Sequence, residues 1–125
     1  MDYRRYLVEF GTGADLHGMD PTKAACRAVR DAISHCCLCG MEDLLGLKEP
    51  GKVMHVQVKI GCPNHTEVNI RQVERMIPFG TPEVEVVPGG LSVKGLSVPS
   101  LGEGDTILLA NAALTVLVDT SSITL

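Results

Sequence analysis

From Ile107 to Val118 the chain reads Ile-Leu-Leu-Ala-Asn-Ala-Ala-Leu-Thr-Val-Leu-Val. A strand with one face in water alternates apolar and polar residues. A strand that is apolar at successive positions belongs where both faces are covered, in the middle of a sheet or at a seam between subunits. The run is too short to cross a bilayer as a helix. Asp105 to Val118 is therefore expected to be a central strand. Asn111, alone among apolar neighbours, is expected to satisfy a backbone group inside the sheet. The other reading of Asn111 is that it reaches a site across a subunit boundary with Asp105 and Thr106.

The rest of the chain supplies partners for that strand. Tyr3 to Phe10 is a short apolar run of strand type, though Arg4, Arg5 and Glu9 leave one face open. Asp20 has the type of a helix N-cap, Pro21 that of the first helical residue, and Ala24, Ala25 and Ala28 favour helix. Ala25, Val29, Ala32 and Cys36 repeat at helical spacing and are expected to lie on a sheet, with Lys23, Arg27, Arg30 and Ser34 on another face. Gly40 and the Gly46 to Gly51 loop are expected to end this helix. Val53 to Ile60 alternates cleanly, with Met54, Val56, Val58 and Ile60 inward. Glu67 to Met76 reads as a second amphipathic helix, with Val68, Val73 and Ile77 inward. Glu83 to Val87 reads as a strand closed by Pro88-Gly89-Gly90. Leu91 to Gly104 reads as an irregular arm, too apolar for a free loop and expected to pack on the domain or on a neighbouring subunit.

These elements predict one α+β domain over residues 1–125. Its mixed β-sheet carries two helices packed on one face in the order β-α-β-α-β-(arm)-β, because each amphipathic helix needs a sheet face to cover. Trp is absent from the 125 residues and Phe10, Phe79, Tyr3 and Tyr6 supply the rings, so the core is thin and assembly as a homo-oligomer would thicken it. The formal net charge of −4 argues against nucleic acid as a partner. No secretory signal or membrane span is read, and five cysteines do not make an extracellular disulfide frame. A cytoplasmic protein is expected.

Chemistry concentrates in Gly11-Thr-Gly-Ala-Asp-Leu-His-Gly-Met-Asp-Pro-Thr-Lys23, read as a glycine-rich loop joining the first strand to the first helix. The open N–H groups of a helix start attract anions. Gly11, Gly13 and Gly18 permit close approach, and Asp20, Lys23, Arg27 and Arg30 stand nearby. The loop is thus a candidate site for an anionic small molecule, with Asp15 and His17 as candidates for moving a proton on it. The alternative is structural: Asp20 caps the helix, Asp15 and His17 brace the loop, and the cations form a solvated face. In that case the chain is a non-catalytic oligomeric scaffold or sensor.

Metal chemistry has weaker support. Asp31 and His35 stand one helical turn apart with Cys36, Cys37 and Cys39 beside them, but the zinc-site pairing of Cys-x-x-Cys motifs is missing. No metal or other cofactor is assigned. Cys62, with His65 three residues on, is the better placed thiol for nucleophilic chemistry, and Cys26 the worse. His55 and His65 are expected to be surface or hydrogen-bonding residues.

The segment from Gly11 through Asp-Leu-His-Gly-Met-Asp to His35, together with Pro78-Phe-Gly, Val84 to Gly90, Gly-Glu-Gly-Asp-Thr106 and Asn111-Ala-Ala, resembles the Lin-type family of small conserved hypothetical proteins of bacteria and plants. That resemblance covers nearly the whole chain and implies no reaction or catalytic residue. The element order alone is also similar to that of trimeric ligand-binding and deaminase proteins of chorismate-mutase-like fold, which implies sites between subunits.

Overall fold

The computed structural model describes residues 1–123. In chain order the main elements are strand β1 (Tyr3–Asp15), helices α1 (Pro21–Ser34) and α2 (Cys39–Asp43), strand β2 (Met54–Cys62), helix α3 (Ile70–Glu74), and strands β3 (Thr81–Pro88), β4 (Leu91–Lys94) and β5 (Thr106–Asp119).

β5 is the middle of a mixed sheet. It runs antiparallel to β1 on one side and to β2 on the other, and β2 pairs in parallel with β3. Pairing of β2 with β5 ends at Gly61 opposite Asn111, and β4 takes up the same edge with Leu91 opposite Leu109. The chain leaving β3 crosses the end of β2 where Gly89 meets Gly61; a Cβ on Gly89 would stand 3.0 Å from the Gly61 Cα. It then turns at Gly90, whose φ of +65° favours glycine.

The core lies on one side of this sheet. Leu108, Ala110, Ala112, Leu114, Val116 and Val118 of β5 join Met54, Val56, Val58 and Ile60 of β2 beneath Ala24, Ala25, Ala28, Val29 and Ala32 of α1. Met41 of α2 and Val73 of α3 are buried in the same cluster. α1 lies over β1 and β5, and α3 sits beside β3 and α1. The alternating face of β2 is thus buried as its sequence predicts.

The opposite face of β5 carries Ile107, Leu109, Ala113, Thr115 and Leu117, all half-buried. Its neighbours on that face are exposed apolar side chains: Phe10 (69 %) and Val8 (43 %) on β1, and Leu91 (61 %) and Val93 (53 %) on β4. Every helix adds its buried residues to the core on the other side. Among the described residues no helix covers this outer face.

Five expectations change. Gly11 to Asp15 is strand rather than loop, because each of these residues pairs with β5, Gly11 with Ala112 and Asp15 with Leu108. The second helix is shorter than Glu67 to Met76: Asn69 caps it by accepting the Gln72 amide at 3.3 Å, so the helix starts only at Ile70. The arm begins as a strand, β4. Asn111 is exposed on the outer face opposite Thr12 and Gly61, not a bridge inside the sheet. The first helix also ends at Ser34, before Cys36 and Gly40, and Gly40 lies inside the unanticipated helix α2.

Candidate functional site

The junction between β1 and α1 is short, residues 16–20, and tightly wired. Asp15, 3 % exposed, accepts the Asp20 amide at 2.8 Å. Its other carboxylate oxygen stands 3.7 Å from the Arg27 guanidinium, which also donates to the Ala14 carbonyl at 2.6 Å. Asp20 in turn accepts the amides of Thr22 at 3.0 Å and Lys23 at 3.3 Å. A carboxylate of the chain itself therefore occupies the N-terminus of α1, where two of the open N–H groups point. Thr22 extends the wiring by accepting the Asn69 amide at 2.9 Å, which ties the start of α1 to the start of α3.

The glycines serve different partners. Gly11 and Gly13 face α1: a Cβ on either would run into the backbone of Ala28, and from Gly13 the Ala24 carbonyl oxygen would be 2.6 Å away. The close approach they allow is that of the helix. Gly18 has φ +104° and Met19 φ +51°, a tight left-handed turn. Gly102 of the arm presses on that turn, since a Cβ there would come within 2.6 Å of the Gly18 nitrogen. The arm from β4 to β5 thus lies against residues 17–19, a contact that no local pattern in either segment announces.

His17 is half-buried beneath this contact, and its Nδ1 is enclosed without a hydrogen-bond partner among the described residues. Lys23, Arg27 and Arg30 are exposed along one face of α1 as their spacing predicts. Arg27 is engaged with Ala14 and Asp15; the side chains of Lys23 and Arg30 have no hydrogen bond or ion pair among the described residues. The structure therefore brings Asp15, Asp20 and Arg27 into one internal network. His17, Lys23 and Arg30 remain unpaired.

Asp31 is tied down as well. It accepts the Thr12 amide at 2.9 Å and meets His35 at 3.1 Å; the Thr12 N–H holds its carboxyl below the usual range against the opposing effect of burial, and His35 adds to the lowering. Among the described residues no group of three or more His, Cys, Asp or Glu side chains is placed to hold a metal ion. Cys62 is buried, its sulfur 3.7 Å from the Pro21 carbonyl, and burial pushes its thiol up, away from a reactive thiolate. His55 hydrogen-bonds Glu83 at 2.8 Å and stacks edge-on with Tyr3.

Sequence reasoning passed over Asp119. It accepts the Asp2 amide at 3.1 Å and the Ser121 hydroxyl at 2.6 Å, and these bonds hold its carboxyl below the usual range. Only the sequence Asp-Thr-Ser-Ser after a strand, an N-cap pattern, hinted at it.

Two concavities stand out, and neither is lined by the loop. One, of about 120 Å³, is an apolar cavity on the helix side between Leu7, Ile33 and Phe79. The other, of about 270 Å³, is a polar depression on the outer face over Gln57, Lys59, Glu83 and Glu85.

With this geometry in hand, the chain is similar along its length to a crystal structure from Nostoc punctiforme, described as an FtsZ-like protein of unknown function. The two are 39 % identical over 95 % of this chain and 98 % of that one, with a TM-score of 0.85. The curated proteins offer no match. A family model described as a conserved hypothetical protein family (Lin0512) matches residues 5–116, and the chain belongs to that family.

Proposed function

We propose that the chain works as a homo-oligomer in which the outer face of the sheet is buried between copies. One observation carries this: β5 is apolar at successive positions, the composition of a strand covered on both faces, yet a single chain covers only its inner side. The exposed Phe10, Leu91 and Val93 beside it extend the apolar surface of this face. A second copy is the simplest cover, since soluble assemblies are mostly symmetric and self-complementary. The five free cysteines fit a reducing, cytoplasmic setting. The test is sedimentation of the purified protein over a wide concentration range. A mass that is a multiple of one chain is expected, and a monomer throughout overturns the proposal.

A second reading keeps the loop as a binding site for a small anion, carried by His17. An enclosed ring nitrogen without a partner is costly, and a bound carboxylate or phosphate would supply one. Lys23 and Arg30 supply unpaired positive charge on the adjoining helix. With Asp15 and Asp20 engaged in holding the loop, any proton transfer falls to His17. The test is an NMR titration of the His17 ring with inorganic phosphate and with acetate. Saturable shifts that Lys23→Ala weakens support the reading; a ring that responds to neither ion removes it.

A further inference from the structure

The apolar cavity on the helix side of the sheet lies far in sequence from the loop. It exists because the helix layer stops short. α1 ends at Ser34 and α3 is five residues long, so the inner face near the start of β2 is closed by the last turn of α1 and by irregular chain around Leu38 and Phe79. Val56, Leu114 and Val116 form its floor, and Ile33, Leu38 and Phe79 its sides. At about 120 Å³ it is slightly smaller than an engineered apolar cavity of about 150 Å³ that stays dry and binds benzene. It has room for one ring or one branched chain of that size.

One charged residue lines it. Glu9 of β1 stands directly opposite Leu114 of β5, and residues so paired project from the same face of a sheet. Its carboxylate is therefore on the cavity side. Glu9 is only partly exposed, and among the described residues its carboxylate has no hydrogen bond and no cationic partner. Its charge reaches the neighbouring Cys36, whose thiol is pushed up first by burial and then by Glu9.

We propose that this cavity binds a small organic ammonium: a ring or branched apolar group no larger than benzene, attached to a protonated amine that pairs with Glu9. The apolar group alone gains only burial, and an organic anion of the same shape is repelled by the carboxylate. An ammonium satisfies both walls and gives Glu9 the partner it lacks within the chain. The cavity and the outer face are on opposite sides of the sheet, so this inference does not depend on assembly.

The test uses the intact protein and three probes of one shape: benzylamine, toluene and benzoate. Binding is read from the methyl resonances of Val56, Leu114 and Val116. Benzylamine is expected to bind more tightly than toluene, and benzoate weakest. In Glu9→Gln, benzylamine should weaken roughly three- to tenfold while toluene is unchanged. Cys36→Phe, which fills the cavity from its rim, should abolish binding of both. Should that variant not fold, the Glu9→Gln comparison decides alone. Equal affinity for benzylamine and benzoate, an unchanged benzylamine affinity in Glu9→Gln, or no response of these methyls to any probe overturns the proposal.

Discussion

Gly13 of β1 and Ala24 of α1 meet backbone to backbone: a Cβ on Gly13 would stand 2.6 Å from the Ala24 carbonyl oxygen. The glycines and the alanines are two halves of one contact, which sets how closely the first helix lies on the sheet. Gly13→Ala is expected to force the helix outward and cost about 1–3 kcal/mol or more, since the obstructing atom is backbone. Urea unfolding should show a lower midpoint with an unchanged slope.

The network at the junction makes Asp15 and Asp20 unequal. Asp20→Ala removes an N-cap and should cost about 1 kcal/mol. Asp15→Ala strips the acceptor from the Asp20 amide inside a buried site and leaves Arg27 without its carboxylate, so a loss of about 1–3 kcal/mol is expected. Thermal melts of the two variants check the order. An Asp20→Ala protein less stable than Asp15→Ala would contradict the wiring.

Asp31 and Asp119 make the acid limb of stability predictable in sign. Both carboxyls are held below their ordinary value in the folded protein, so the unfolded chain binds protons at a higher pH than the folded one. Their contribution is complete above the ordinary carboxylate range. It is lost as pH falls through their lowered folded values. Asp31→Asn should flatten the fall in stability below about pH 4, measured by unfolding at a series of pH values. It should leave the neutral-to-alkaline limb without change of slope.

Much of the fold was legible because binary patterns report local burial. The alternation of Met54 to Ile60, the Asp20-Pro21 helix start and the centrality of β5 all follow from residues within one element. What could not be read came from pairing at a distance. Gly11 to Asp15 looks like a loop from its composition and is strand because β5 lies beside it. Gly11 and Gly13 read as room for a ligand, and the room is taken by α1. Pressure of Gly102 on the His17 turn joins segments far apart in sequence. Of the residues singled out in the loop and first helix, Asp15, Asp20 and Arg27 meet in one network, and which side chains are already paired is set by contacts between segments that no local pattern carries.

The cysteines divide by access. Cys37 and Cys39 are exposed and Cys62 is buried with its thiol pushed up. An aromatic disulfide reagent at neutral pH should label Cys37 and Cys39 in the folded protein, while Cys62 reacts only on unfolding. Mass mapping of the labelled peptides checks this, and early labelling of Cys62 would contradict its burial.

The most direct test of assembly through the outer face is the mass in solution of Phe10→Glu combined with Val93→Glu. Both side chains are more than half exposed in the single chain, so the variant should fold with an unchanged circular dichroism spectrum. A multimeric wild type and a monomeric variant are predicted. A variant that keeps the wild-type multimer, or a wild type that is itself monomeric, would contradict the account.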